Sequence, residues 1–178
     1  PPFLRTIPSV APTLDALENI FLAAHFGEAL DLKLIELAGR QLIRNIEENG
    51  VAKWIETVRA HHSQTYQHSL LVTGIIVAFA QKLRMTPADQ LRLSFAAMVH
   101  DIGKARVPVS ILEKPAGLNE AEARIMRHHP EYGFEALGTV MGIDREILDM
   151  VIHHHEYLDG TGYPHGLRGQ QISDLVRI

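Results

Sequence analysis

The sequence predicts an all-α fold, and three observations support this prediction. Apolar residues recur at three- and four-residue steps along most of the chain, as they do on the buried face of a helix. No segment shows the alternation of apolar and polar residues that indicates a half-buried strand. The chain has 178 residues, of which 46% are hydrophobic and 21% are charged, which is the composition of a packed globular domain.

The composition also excludes several classes of function. The chain has no cysteine, so disulfides, thiolate metal sites and cysteine nucleophiles are ruled out. Its net charge of −4 argues against binding to a nucleic-acid polymer through a basic surface. The longest apolar run, 70–80, is too short for a membrane span and no signal peptide opens the chain, so we expect a cytoplasmic protein. Because the chain begins with proline rather than methionine, we expect it to continue a longer protein.

The first fifty residues are predicted to form an extended lead-in followed by two helices. Prolines mark residues 1–12 as the extended part. Apolar repeats then predict a helical segment over 13–50, with Thr13 as the N-cap of the first helix and Asn49-Gly50 as the end of the second. We expect these helices to pack or to signal, through a second copy of the chain or a signalling partner.

Residues 66–85 are predicted to form a helix although part of the segment has strand composition. The apolar pattern is too long for a strand, and it places Ile75, Phe79 and Leu83 on one buried face. This segment opens the part of the chain, 51–178, in which we expect the functional domain.

Three more helices are predicted after this one. Pro87 fits the first turn of a helix that runs to about His100 and is apolar nearly all round, as a buried helix is. The other two cover 118–129, where Pro130 is expected to close the helix, and 143–156.

Histidine is the unusually frequent residue, with 11 copies. Helical phase places five histidines on apolar faces, together with one aspartate at the end of the most apolar helix. His128 and His153 follow polar residues by four and are predicted to face water. The six residues predicted to converge are His68, His100, Asp101, His129, His154 and His155.

A shared metal explains this convergence better than five separately satisfied core histidines would. An unpaired buried polar group costs about 1–3 kcal/mol, and one cation provides a partner for all six groups. Neutral imidazole is the commonest metal ligand, and mixed histidine and carboxylate sets suit Fe, Mn, Zn or Ni. Six ligands exceed the four of a tetrahedral site, which indicates two metal ions suited to a phosphoryl displacement.

The order of these residues resembles a known family. His-Asp-Ile-Gly-Lys at 100–104 is similar to the signature of the HD superfamily of metal-dependent phosphohydrolases. The run 154–156, His-His-Glu, followed by Gly-Tyr-Pro at 162–164, is similar to the HD-GYP subfamily, and His68 and His129 occur in matching order. The resemblance covers roughly 66–178 and implies an HD-domain helical bundle with additional N-terminal helices.

The resemblance implies a bacterial cyclic di-GMP phosphodiesterase that releases the linear dinucleotide or GMP. It implies two divalent ions, with Fe or Mn expected and Zn or Ni as alternatives, held by all six residues named above, with Asp101 bridging the two ions. Lys104 is expected near the metals and the phosphate, and Tyr163 is expected to contact the substrate.

Two features depart from the family pattern. Trinuclear members have a glutamate four residues before the first ligand histidine, where this chain has Gln64, so we expect two metals rather than three. The family also has an aspartate and basic residues on a helix after the GYP segment, whereas this sequence ends at Ile178. We therefore expect this chain to hold metal incompletely and to hydrolyse cyclic di-GMP slowly or not at all.

Two other functions stay open at this point. One is an HD phosphohydrolase for another nucleotide, and the other is a regulatory module that binds cyclic di-GMP or a partner protein with little turnover. Two single residues also have alternative roles. Lys104 could interact with a helix dipole instead of the phosphate, and Tyr163 could be a packing residue instead of a substrate contact. Glu156 is expected either to orient a histidine or to be solvated.

Overall fold

The fold is helical, as predicted. The computed structural model describes residues 11–59 and 64–178, and the side chains of all of these except residues 64–66. Within these ranges there is no β-strand, and no helix is both long and apolar enough to cross a membrane. The helices are α1 (Ala11–Phe26), α2 (Leu32–Asn49), α3 (Val51–Arg59), α4 (Gln64–Lys82), α5 (Pro87–Val99), α6 (Val109–Leu112), α7 (Glu120–Met126), α8 (His129–Gly138) and α9 (Arg145–His153). Residues 1–10 of the expected lead-in lie outside the described residues.

The chain divides into two compact units. The first comprises the described residues up to Ile20 together with Asp31–Val99, and it contains α2 to α5. The second comprises Phe21–Leu30 and His100–Ile178, and it contains α6 to α9. Five of the six residues predicted to converge belong to the second unit, and His68 belongs to the first.

In the first unit, α3 packs against α4. The sequence analysis did not predict α3. Its Trp54 is 1% exposed, and the indole Nε1–H donates to the carbonyl oxygen of Leu70 at 2.9 Å. A Cβ at Gly74 would lie 2.2 Å from Trp54 Cδ1, so the indole occupies the space that the missing side chain leaves on α4. The apolar helix α5 is buried from Leu93 to Val99, as predicted.

The predicted buried face of α4 is wrong. Ile75, Phe79 and Leu83 are between 44% and 56% exposed, whereas Val77 and Ala80 are fully buried. Helix α4 is apolar on more than one face, so periodicity alone does not choose between them. The buried face is the one that carries the small residues, which let the neighbouring helices approach closely.

Two predicted helix boundaries also differ from the structure. Helix α1 begins at Ala11, so Thr13 lies inside the helix instead of capping it. Pro130 does not close a helix, because α7 has already ended at Met126. It lies in the first turn of α8 instead, where the fixed φ of proline suits a helix and its missing N–H is not needed.

The second unit depends on a close backbone contact beneath the predicted metal ligands. The short 3-10 helix Ile102–Arg106 packs against α8. A Cβ at Gly103 would lie 1.9 Å from the carbonyl oxygen of His129 and 2.5 Å from the backbone nitrogen of Gly133. Only glycine fits at position 103, and its absence of a side chain brings Asp101 next to the start of α8.

We predict that Gly103→Ala destabilises the protein by at least about 1–3 kcal/mol, because the added methyl group forces the two backbones apart. Gly138→Ala is the matched control, since a Cβ at this helical position meets no atom within 4 Å. Urea unfolding of the two variants and the parent chain measures the difference. Equal stability of the two variants would mean that the contact at Gly103 does not hold the second unit together.

Candidate metal centre

Five of the predicted ligands lie at helix ends in the second unit. His100 and Asp101 follow α5 directly, before the short 3-10 helix. His129 is the first residue of α8, and His154 and His155 follow the last residue of α9. Three separate segments of the second unit therefore bring these side chains together.

Four of these side chains converge on one point. Asp101, His129, His154 and His155 each offer one ligand atom, and these atoms all lie within 4.8 Å of one another. Asp101 Oδ1 is 3.2 Å from His129 Nε2 and 3.8 Å from His154 Nε2. The two Nε2 atoms are 3.1 Å apart. Asp101 and His129 are each 1% exposed, so this contact is shielded from water.

Hydrogen bonds at the outer side of two imidazoles determine which nitrogen faces inward. His129 Nδ1 lies 2.7 Å from the carbonyl oxygen of Met126, and His154 Nδ1 lies 2.7 Å from that of Val151. A carbonyl oxygen only accepts, so Nδ1 carries the proton in each ring and the neutral ring directs its Nε2 lone pair inward. A metal-ligating histidine is commonly oriented in this way, with its other N–H bound to a backbone carbonyl.

The surroundings of the cluster lower the pKa values of His154, His155 and Asp101, which favours neutral rings in the two histidines and a charged carboxylate in the aspartate. Burial lowers the pKa of His154 well below its usual value, and the neighbouring His100 and His155 lower it further. Burial likewise lowers the pKa of His155 to about 4, with His129 contributing. Burial opposes the ionisation of Asp101, but its contacts with His100, His129 and Lys104 together hold its pKa well below the usual range.

This set of atoms fits a cation. Two inward Nε2 lone pairs and one carboxylate oxygen face each other, and none of the three atoms carries a hydrogen to share. A divalent transition metal accepts lone pairs from imidazole nitrogen and carboxylate oxygen together, whereas Mg²⁺ and Ca²⁺ prefer oxygen ligands. The group formed by Asp101, His129, His154 and His155 is therefore compatible with metal binding.

The second carboxylate oxygen of Asp101 faces a different pair of groups. Oδ2 accepts a hydrogen bond from Lys104 Nζ at 2.7 Å and lies 3.2 Å from His100 Nε2. One oxygen of Asp101 thus faces His129 and His154, and the other faces His100 and Lys104. The two oxygens of Asp101 therefore have different partners.

His68, His128 and His153 differ in their surroundings. His68 lies on α4 in the first unit, where its side chain is exposed, so the buried position predicted from helical phase is wrong and its ligand role stays a prediction. His128 faces water next to Glu131, as predicted. His153 points away from the cluster, with Nδ1 2.8 Å from Asp149 Oδ1 and Nε2 3.0 Å from His165 Nδ1.

Glu156 holds the loop that follows the ligand histidines. It is 9% exposed, and its carboxylate accepts backbone N–H bonds from His165 at 2.6 Å, Gly166 at 3.1 Å and Leu167 at 2.9 Å. The sequence analysis considered two roles for Glu156, which were to orient a histidine or to be solvated. The structure shows a different role, because the carboxylate binds backbone N–H groups of the loop.

The same loop brings Tyr163 onto a predicted ligand. A Cβ at Gly162 would lie within 2.5 Å of the backbone of His155 and Glu156, so only glycine permits this approach. The N–H of Tyr163 donates to the His155 carbonyl oxygen at 3.2 Å, and its ring stacks on the His155 ring at 4.6 Å between centroids and 19° between planes. Burial raises the pKa of Tyr163 to about 12, so the phenol stays protonated at neutral pH.

Comparison with known proteins adds independent findings. Residues 52–178 match the HD domain family. The chain is 32% identical over 167 residues to the cyclic di-GMP phosphodiesterase PA4108 of Pseudomonas aeruginosa, which covers 92% of this chain and 40% of that protein. It is 40% identical over 121 residues to the 3'3'-cGAMP-specific phosphodiesterase 3 of Vibrio cholerae, covering 68% of this chain and 26% of that one. The chain therefore spans less than half the length of these curated relatives.

A solved structure has the same fold. Bd1817, described as a HDG"Y"P protein from Bdellovibrio bacteriovorus, superposes with a TM-score of 0.73 over 93% of this chain and 54% of that one, at 20% sequence identity. Together with the match over residues 52–178, this likeness confirms the resemblance on which the sequence analysis relied.

We predict that His129→Ala removes bound metal whereas His128→Ala does not. Only His129 contributes an inward Nε2, while His128 is exposed beside Glu131. Metal affinity is expected to fall at least about tenfold in His129→Ala. Mutation of a residue that only orients a metal ligand already lowers metal affinity by about this factor, and His129 is itself a predicted ligand. Elemental analysis after dialysis against a metal buffer measures it.

The pair His155→Ala and His153→Ala provides a second test of the same kind, because His155 faces the cluster and His153 faces Asp149. Equal loss of metal within either pair would contradict the inward orientation described above.

Proposed function

The chain belongs to the HD domain family, and from that premise we propose that it hydrolyses a phosphodiester bond of cyclic di-GMP in bacterial signalling. The reaction is metal-dependent and gives the linear dinucleotide, with GMP as a further product. The observation that carries this proposal is the convergence of Asp101 Oδ1 with the Nε2 atoms of His129 and His154, since imidazole nitrogen and carboxylate oxygen together are ligands of a divalent transition metal. Relatives named cyclic di-GMP phosphodiesterases support the choice of substrate.

Two divalent ions are proposed as cofactors. Fe and Mn are the preferred metals, and Zn and Ni are the alternatives. The division of Asp101 between two sets of partners supports a bridging role for this carboxylate. When bound, the ions would supply Lewis-acid chemistry, acidifying a water molecule and neutralising charge on the phosphate. The proposed ligands are His68, His100, Asp101, His129, His154 and His155.

The chain's own residues prepare this site for an anionic substrate. His154 and His155 have lowered pKa values, so their rings are neutral near pH 7 and keep a lone pair available for ligation. Lys104 Nζ binds Asp101 from a side chain that is 22% exposed, so its ammonium group can reach a phosphate oxygen and stabilise the charge that develops there. Tyr163 presents a protonated phenol that can donate a hydrogen bond to the substrate.

A second candidate substrate is 3'3'-cGAMP. The relative that is named specific for this dinucleotide is 40% identical to the chain, against 32% for the cyclic di-GMP phosphodiesterase of Pseudomonas aeruginosa. Both compounds are cyclic dinucleotides with two phosphodiester bonds, so the same centre suits either. We also propose that the reaction takes place in the cytoplasm. The N-terminal helices are proposed to bind a second copy of the chain or a signalling partner.

Single-turnover hydrolysis tests this proposal, because excess protein makes even slow turnover visible. We predict that protein loaded with Mn²⁺ or Fe²⁺ converts cyclic di-GMP to the linear dinucleotide and that chelation of the metal stops the reaction. Asp101→Asn keeps the shape of the side chain but loses its charge, so the rate is expected to fall at least about a hundredfold. Chromatographic separation of the nucleotides gives the rate and the product.

Glu131→Gln is the matched control, since this half-buried carboxylate pairs with His128, which faces away from the cluster. Tight binding of cyclic di-GMP without hydrolysis by the metal-loaded protein would overturn the enzymatic proposal and favour the regulatory module. Faster hydrolysis of 3'3'-cGAMP than of cyclic di-GMP would favour the second substrate.

A further inference from the structure

Arg127 lies beside the candidate metal centre, although no motif in the sequence marks it. Its guanidinium carbon is 5.9 Å from the centroid of the Tyr163 ring, within the range of a cation–π contact. Tyr163 stacks on His155, and the ring of His155 is 5.0 Å from that of His129. Two ring contacts therefore connect the guanidinium to the cluster, and Arg127 lies at its edge.

The backbone at Arg127 is fixed by the same turn that orients a predicted ligand. The N–H of Arg127 donates to the carbonyl oxygen of Ala123 and closes α7. The preceding residue, Met126, supplies the carbonyl oxygen that orients the His129 ring. The turn at the end of α7 thus orients the His129 ring and also fixes the position of the Arg127 backbone.

The guanidinium of Arg127 is available for an anion. Arg127 is exposed, and none of the ion pairs among the described residues involves it. Arg106 provides a contrast, because it contacts the ring of Tyr132 in a similar way but is paired with Glu135 at 2.6 Å. An arginine that a tyrosine ring holds in place, with its N–H donors unpaired, suits bidentate binding of a phosphate.

We propose that Arg127 binds the phosphate of the cyclic dinucleotide that is not being hydrolysed. This inference rests on the proposed function. A cyclic dinucleotide carries two phosphodiesters, and a single metal centre engages one of them. The second keeps its negative charge and needs a cation outside the cluster. Lys104 is bound to Asp101 inside the cluster, whereas Arg127 lies at the edge of the cluster.

This role makes Arg127 a determinant of specificity for dinucleotides with two phosphates. It contacts the backbone of the substrate and not its bases, so its contribution is the same whichever purine the dinucleotide carries. The contact between Tyr163 and Arg127 then favours phosphate binding, because the ring limits the positions that the guanidinium can take.

The test measures binding of cyclic di-GMP and of cyclic di-AMP by isothermal titration to the Mn²⁺-loaded protein. We expect Arg127→Ala to raise both dissociation constants about tenfold or more and by the same factor, as the loss of a charge-assisted hydrogen bond does. Arg127→Lys restores part of the affinity, because it keeps a point charge without the bidentate geometry. The metal content of each variant is expected to stay unchanged.

Arg124→Ala is the matched control, since Arg124 is an exposed arginine on the same helix and has no contact with Tyr163. An unchanged affinity of Arg127→Ala, an equal loss in Arg124→Ala, or a parent protein that binds neither dinucleotide would overturn the inference. A loss limited to cyclic di-GMP would overturn it too, because the arginine would then recognise guanine. A parent protein that binds both dinucleotides but hydrolyses neither would refute the proposed function and leave this inference standing.

Discussion

The second unit is organised around one buried carboxylate. Asp101 is 1% exposed and its lowered pKa keeps it ionised, and a buried charge is tolerated only when it is paired and hydrogen-bonded. Its partners come from separate segments: Lys104 from the short 3-10 helix, His129 from the start of α8 and His154 from the end of α9. The carboxylate thus requires the three segments to meet, and the glycine at position 103 lets them do so.

The loop after α9 depends on the same centre. His154 and His155 face the cluster, and the next residue, Glu156, turns its carboxylate to three backbone N–H groups of the loop. The loop returns over His155 and places the Tyr163 ring on it. The ligand histidines, the carboxylate that holds the loop and the aromatic ring are therefore consecutive parts of one local structure, and a change in the cluster would reach Tyr163 directly.

The sequence predicts the fold class and most helices because apolar repeats report burial within one helix. The same repeats fail where the reason for burial lies in another segment. His129 is buried as predicted, but α7 has ended before it, and Ile125, four residues earlier in the chain, is 39% exposed. Its burial comes from the packing of α8 on Gly103, which is a contact between segments.

Polar roles were harder to predict than apolar ones. The ordered motifs bring out the residues of the cluster, since His-Asp and His-His-Glu runs are rare combinations. The His-His-Glu run marks the position of Glu156 but not its role, and no motif marks Arg127, because both roles depend on where backbone N–H groups and a ring lie after folding. His68 has both the motif order and an apolar helical phase, yet its side chain is exposed on α4.

Crystallography of the Mn²⁺-loaded protein, with anomalous scattering to locate the metal, tests the central claim most directly. The account predicts a metal within about 2.0–2.3 Å of Asp101 Oδ1, His129 Nε2 and His154 Nε2, with the Nδ1 atoms of both rings still bound to the carbonyl oxygens of Met126 and Val151. A metal bound elsewhere, or rings turned so that Nδ1 faces the metal, would contradict it.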